Sequence, residues 1–281
     1  MNKVLVYHIY LRDDIDNNLA YKVNLECLKY YKNNFDKVKF IFVMDDIKDV
    51  ELRKKGINWA SEIGFTGETD FIFRKNTELG EAATVRDYVF NLNDTSNDAI
   101  FFAHTKGITQ MDEEKKKNSV LMWILIMYFY NLNFSEEVKK CFLGKNCVIP
   151  AFYGTLLMSA IEREKIPEFI PDCHYSGAFY WVNKPFLQKK NRELELDKYL
   201  FNNRFDTEFF PGYFFNYKLG GLTSHNRASF ILDGHIGSFY VGGCDYWESV
   251  LEILGDKEEF LYFKEEIEKV IDFKIFDSDV E

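Results

Sequence analysis

The sequence has no excess of positive charge: 35 Lys and Arg stand against 45 Asp and Glu, giving a formal net charge of -10 and an isoelectric point near 5.2. Such a chain has no general attraction for nucleic acid or an anionic bilayer, so nucleic acid is not an expected partner. Paired cysteines are also missing. Cys27, Cys141, Cys147, Cys173 and Cys244 are odd in number, scattered and without a CxxC, which argues against a disulfide framework and a structural zinc site. They read as core thiols in a reducing compartment. The apolar run at residues 120–130 falls well short of the roughly 20 residues that cross a bilayer, and is read as a buried helix.

Signature motifs are missing as well. There is no GxGxxG, GxxxxGK[ST], HExxH or GxSxG, so dinucleotide, P-loop, zinc-protease and α/β-hydrolase readings lose their fingerprints. Repeats, coiled coils, low-complexity tracts and clear linkers are absent too. Residues 4–10 form a strand-like run with acidic residues soon after, unlike the basic and apolar regions of a signal peptide, so a cytoplasmic location is expected. Sequons at 93–95 and 133–135 have no consequence there.

What is present is an α/β pattern rich in aromatics, with 28 Phe and 17 Tyr among 281 residues. This aromatic load suits carbohydrate stacking, and equally suits a genome of biased nucleotide composition. Residues 3–10 and 38–44 are β-rich runs, and Leu19, Val23, Cys27 and Tyr31 repeat between them at helical spacing, which makes a βαβ unit with parallel strands. The second run ends in Asp45 and Asp46, carboxylates that could meet a base or ribose or simply open a surface loop. Residues 56–69 read as a loop, 71–73 as a short strand, and 78–92 as a helix with Ala82, Val85, Val89 and Leu92 on one face. Residues 110–118 form a charged loop, either a cover over a site or a solvated connection. A strand is expected at 146–153, and Phe260, Phe263, Ile267 and Val270 mark an amphipathic helix. We therefore expect one α/β domain over 1–255 with a C-terminal helix, 256–281, packed on it.

Residues 98–107 read DAIFFAHTKG, a buried strand that stops abruptly in polar residues. Ligands of open α/β sheets bind outside the carboxyl ends of strands, so this junction is a candidate site. His104 and Lys106 could hold a diphosphate, with Thr105 beside them and Gly107 allowing close backbone approach; a satisfied loop histidine and a solvated lysine are the plainer reading. Ser176 and Gly177 precede an aromatic run in which Trp181 offers a stacking face. Asp206 and Glu208 provide carboxylates for proton abstraction, or an ion pair with Arg204. Arg86 reads as solvated, and His225 and His235 lack metal-ligand spacing.

Taken in order, these clusters resemble a family of bacterial and large-virus glycosyltransferases related to the rhamnan-synthesis F proteins of polysaccharide loci. The matching residues are Glu81-Ala82-Ala83-Thr84, His104-Thr105-Lys106-Gly107, Trp123, the run from Tyr175 to Trp181, and Arg204 with Glu208, spanning about 70–212. Ala178 stands where the family usually has Asn, so an amide at that corner is missing.

The resemblance implies a GT-A-like, mostly parallel sheet flanked by helices. It implies transfer of a sugar from a nucleotide-diphosphate donor to a hydroxyl of a surface glycan or lipid-linked glycan. His104, Thr105, Lys106 and Gly107 would hold the leaving diphosphate, Ser176, Gly177 and Trp181 would shape the sugar pocket, Arg204 would orient the carboxylates, and Glu208 or Asp206 would be the base. No DxD metal motif is convincing, since Asp206-Thr207-Glu208 has a DxE shape but sits late in the chain and the position after the central strand is occupied by His104 to Gly107, so no metal ligand is assigned, although Mn or Mg is compatible with the chemistry. A peripheral contact with the inner face of a membrane is compatible with a lipid-linked acceptor. The other readings are a sugar-phosphate transferase of cell-surface polymers and a non-catalytic glycan-binding subunit.

Overall fold

The computed structural model describes residues 1–90, 96–143, 152–160, 173–175, 178–194, 207, 224–232 and 244–276. Its first half is the expected alternation of strand and helix. β1 (Asn2–Tyr10), β2 (Lys37–Met44), β3 (Glu68–Lys75) and β4 (Asp98–His104) alternate with α1 (Leu19–Tyr31), α2 (Val50–Ser61) and the short α3 (Glu81–Thr84), which continues as a π-helical turn, Val85–Val89. β1 is buried from Lys3 to Ile9, as a central strand covered on both faces must be. Side chains cap the helix starts: Asn18 accepts from the Ala20 amide at 3.0 Å, and Asp49 from the Leu52 amide at 2.9 Å.

The rest comprises α4 (Glu114–Leu132), α5 (Ser135–Leu143), β5 (Phe152–Ala160), β6 (Cys173–Tyr175), β7 (Tyr180–Asn183), α6 (Lys184–Leu194), β8 (Ser224–Leu232), α7 (Cys244–Leu254) and α8 (Lys257–Ile271). Among the described residues the sheet has eight strands in the order β3-β2-β1-β4-β7-β5-β6, with β8 on β5. Strands β1 to β4 are mutually parallel, β7 opposes β4, and β5 with β8 returns to the first direction, leaving β6 and β7 reversed. This is an α/β arrangement, a mixed, mostly parallel sheet with helices on its faces, compatible with a Rossmann-like fold.

One apolar layer joins α1, α4 and α8 to the sheet, and a second lies under α3 on the opposite face. α4 is buried at every position from Ser119 to Leu132, the apolar helix expected there, and it begins at Glu114 within the stretch read as a charged loop. Residues 56–61 are helical, not loop. Gly56 faces the sheet, where a Cβ would lie 2.9 Å from a Leu11 methyl, so glycine lets α2 approach closely. Val270 is exposed, and the apolar face of α8 runs on from Ile267 to the partly buried Ile271. Among the described residues no helix is long and apolar enough to cross a membrane.

Candidate functional site at the strand ends

Strands β1 to β4 are parallel, so their carboxyl ends share one edge of the sheet. From β1 the chain adds strands outward as β2 and β3, then returns to place β4 on the other side of β1. A reversal of this kind splays the loops apart and leaves a crevice. Next to it, on the β2 side of the β1 end, lies an open cavity of about 420 Å³. Its walls are the β1 end with Tyr10, Arg12, Asp13 and Asp14, the β2 end with Asp45 and Asp46, and Asp49 and Leu52 of α2. Asp45 is held in place by two neutral donors, the Tyr10 hydroxyl at 3.0 Å and the Asn76 amide at 2.9 Å. Burial, reinforced by Asp45, raises the Tyr10 phenol above its ordinary pKa, so it stays a donor. Asp46 and Asp49 bind backbone amides of Lys48 and Leu52, so part of the acidic wall serves the turn into α2.

The turn 104–107 lies against this cavity through Tyr10. Thr105 donates its amide to the His8 carbonyl at 2.9 Å and accepts the Tyr10 amide on its hydroxyl at 3.2 Å. Asn24 of α1, which also accepts the buried hydroxyls of Tyr7 and Tyr128, donates to the Lys106 carbonyl at 3.1 Å. Gly107 has φ of 82°, and a Cβ there would fall 2.4 Å from Val120. The glycine thus permits a left-handed turn pressed on α4, a packing requirement where the sequence suggested room for a ligand. Lys106 is likewise more enclosed than a solvated lysine: it is 8% exposed, with its ammonium 3.9 Å from the centre of the Trp123 ring.

Two histidines lie side by side on the sheet face under α3, His8 of β1 in register with His104 of β4. Nδ1 of His8 and the Thr84 hydroxyl share a hydrogen bond at 2.8 Å, and Nδ1 of His104 lies 3.4 Å from Glu81. Arg74 of β3 grips the same helix, donating to the Ala83 carbonyl at 3.2 Å and pairing with Asp87 at 2.8 Å. Burial pushes His8 down to about 4, so its ring is neutral. His8 and Arg74 were not among the sequence candidates, and Glu81 and Thr84 entered only through the resemblance. The signal was there: His8 sits near the end of a parallel strand, as His104 does.

Comparison with known protein families and with curated proteins finds no match for this chain.

Of the candidates, His104, Thr105, Lys106 and Gly107 are brought together at the crevice. Trp181 is not a sugar-stacking face. It is fully buried, packed on Phe101 and Phe35, and its indole donates to the Asn131 carbonyl at 2.8 Å. Ser176, Gly177, Arg204, Asp206 and Glu208 lie outside the described residues. Thr207 is described: its carbonyl accepts the Tyr180 hydroxyl at 3.0 Å, which brings it to the α3 face of the sheet. Arg86 is half exposed and paired with Asp87. Among the described residues no three His, Cys, Asp or Glu side chains converge to hold a metal, and no step below is routed through one.

Proposed function

We propose that the chain is a GT-A-like glycosyltransferase that moves a sugar from a nucleotide-diphosphate donor to a glycan hydroxyl. The observation that carries this reading is the meeting of the acid-lined cavity and the turn 104–107 at Tyr10, where the strand order reverses. Five aspartates repel a diphosphate but accept hydrogen bonds from ribose hydroxyls and an exocyclic amine, which suits the cavity to the nucleoside. The diphosphate would then lie toward His104 and Lys106. There Lys106 would exchange the indole of Trp123 for phosphate oxygens, a favourable trade because charge-assisted bonds are the stronger ones. Opposite charge at the departing diphosphate lowers the barrier to sugar transfer. The segment carrying Asp206 and Glu208 would supply the base, with Arg204 beside it; Ser176 and Gly177 would border the sugar.

The test is nucleotide release from a panel of nucleotide sugars, with and without Mn²⁺, alongside binding of the free nucleoside diphosphates. Release from at least one donor is expected. Lys106→Ala should weaken diphosphate binding by about ten- to a hundredfold, the equivalent of one charged hydrogen bond. Glu208→Gln should bind normally and transfer nothing. No release and no binding with any nucleotide overturns the reading; normal binding by Lys106→Ala removes that residue from the diphosphate site.

A further inference from the structure

The two histidines at the crevice occupy equivalent positions on neighbouring strands but have different partners. His8 meets a hydroxyl, Thr84, and is 3% exposed; His104 meets a carboxylate, Glu81, and is 8% exposed. Both partners come from α3, three residues apart, so one short helix assigns the two rings their roles. Among the described residues, the groups near His104 include Glu81 on α3, neutral His8 on β1, Phe179 stacked obliquely at 5.5 Å, and Arg74 reaching α3 from β3. Only Glu81 among these opposes a positive imidazole with a negative charge at contact distance.

We propose that Glu81 is a positioning residue: it orients His104 through Nδ1 and favours the imidazolium, so that Nε2–H is offered as a cationic donor to the diphosphate. The carboxylate fixes which nitrogen faces inward, as second partners of catalytic and metal-bound histidines do. The proposal rests on the donor-site reading above and explains why Glu and Thr occur at positions 81 and 84, which that reading does not use.

The experiment joins ring ¹⁵N NMR titration of His104 to uridine and guanosine diphosphate affinity, in the full chain and in Glu81→Gln, at about pH 5.5 and about pH 8, on either side of the ordinary histidine range. Glu81→Gln should lower the His104 midpoint and weaken diphosphate binding about tenfold at the higher pH, with recovery at the lower. Glu81→Asp should restore part of both. An unchanged midpoint, or a loss of affinity of equal size at both pH values, overturns the proposal, since the second outcome marks a structural role. If the parent chain binds no diphosphate at either pH, the donor-site reading fails and the ligand part of this proposal with it. The titration would still decide the Glu81–His104 pairing.

Discussion

Two residues in left-handed backbone make opposite predictions. Gly107, at φ 82°, has no space for a Cβ beside Val120; Ala178, at φ 54°, already carries one in a conformation that costs L-residues about 1–2 kcal/mol. Gly107→Ala should destabilise by about 2 kcal/mol or more through strain and overpacking. Ala178→Gly should stabilise by about 0.5–1 kcal/mol, less what the buried methyl contributed to packing. Urea unfolding of both variants reads the signs, and equal signs would show that backbone strain does not decide at these positions. The φ at Ala178 also bears on the departure noted in the sequence, since it disfavours the Ala found there. Asn adopts left-handed backbone more readily than Ala, so an Asn there has a conformational reason besides any bond to substrate. Such reasons lie in dihedral angles that a string of residue names does not display; for the same cause Trp181, a reasonable stacking surface by type, turned out to be core.

At the scale of elements, α3 is held to the sheet by His8, His104 and Arg74, and the first of these makes its docking depend on pH. The folded-state pKa of His8, about 4, lies below the ordinary 6.5, so the unfolded chain takes up the proton first as pH falls. The neutral ring therefore contributes stability that is complete above about pH 6.5 and is lost between there and about pH 4, amounting to about 3 kcal/mol. Other groups titrate in the same window, so the comparison is with His8→Gln, which keeps a hydrogen-bonding side chain without a titrating one. Denaturant unfolding from pH 7 to pH 4.5 should give a steeper loss in the parent chain, and parallel curves would remove His8 from the account. The existence of β1, α1, β2, β4 and α4 was legible from apolar periodicity alone. α2 was missed, with Gly56 taken as a loop signal; it is there to let a helix approach Leu11 and Phe42.

For the whole molecule, α8 belongs to the main core and is not a detachable appendage. Phe260 packs on Phe129 and Tyr130, and Phe263 on Tyr31. Burial of Phe260, Phe263 and Ile267 contributes on the order of 2 kcal/mol each, and together they approach the net stability of a typical domain. A chain ending at Gly255 should therefore lose its cooperative thermal transition; a sharp transition near that of the full chain would make the helix dispensable. The sequence by itself determined the strands β1, β2 and β4 and the helices α1, α4 and α8, that the sheet would be largely parallel, and that polar residues begin where the strand 98–104 ends. It does so because each of these depends on local periodicity and on where apolar runs stop. Only the tertiary structure decided that β4 lies beside β1, that His8 meets His104, and that α3 sets a carboxylate on one and a hydroxyl on the other. Those are long-range pairings fixed by sheet order and register, and no local pattern encodes which strand end will stand next to which.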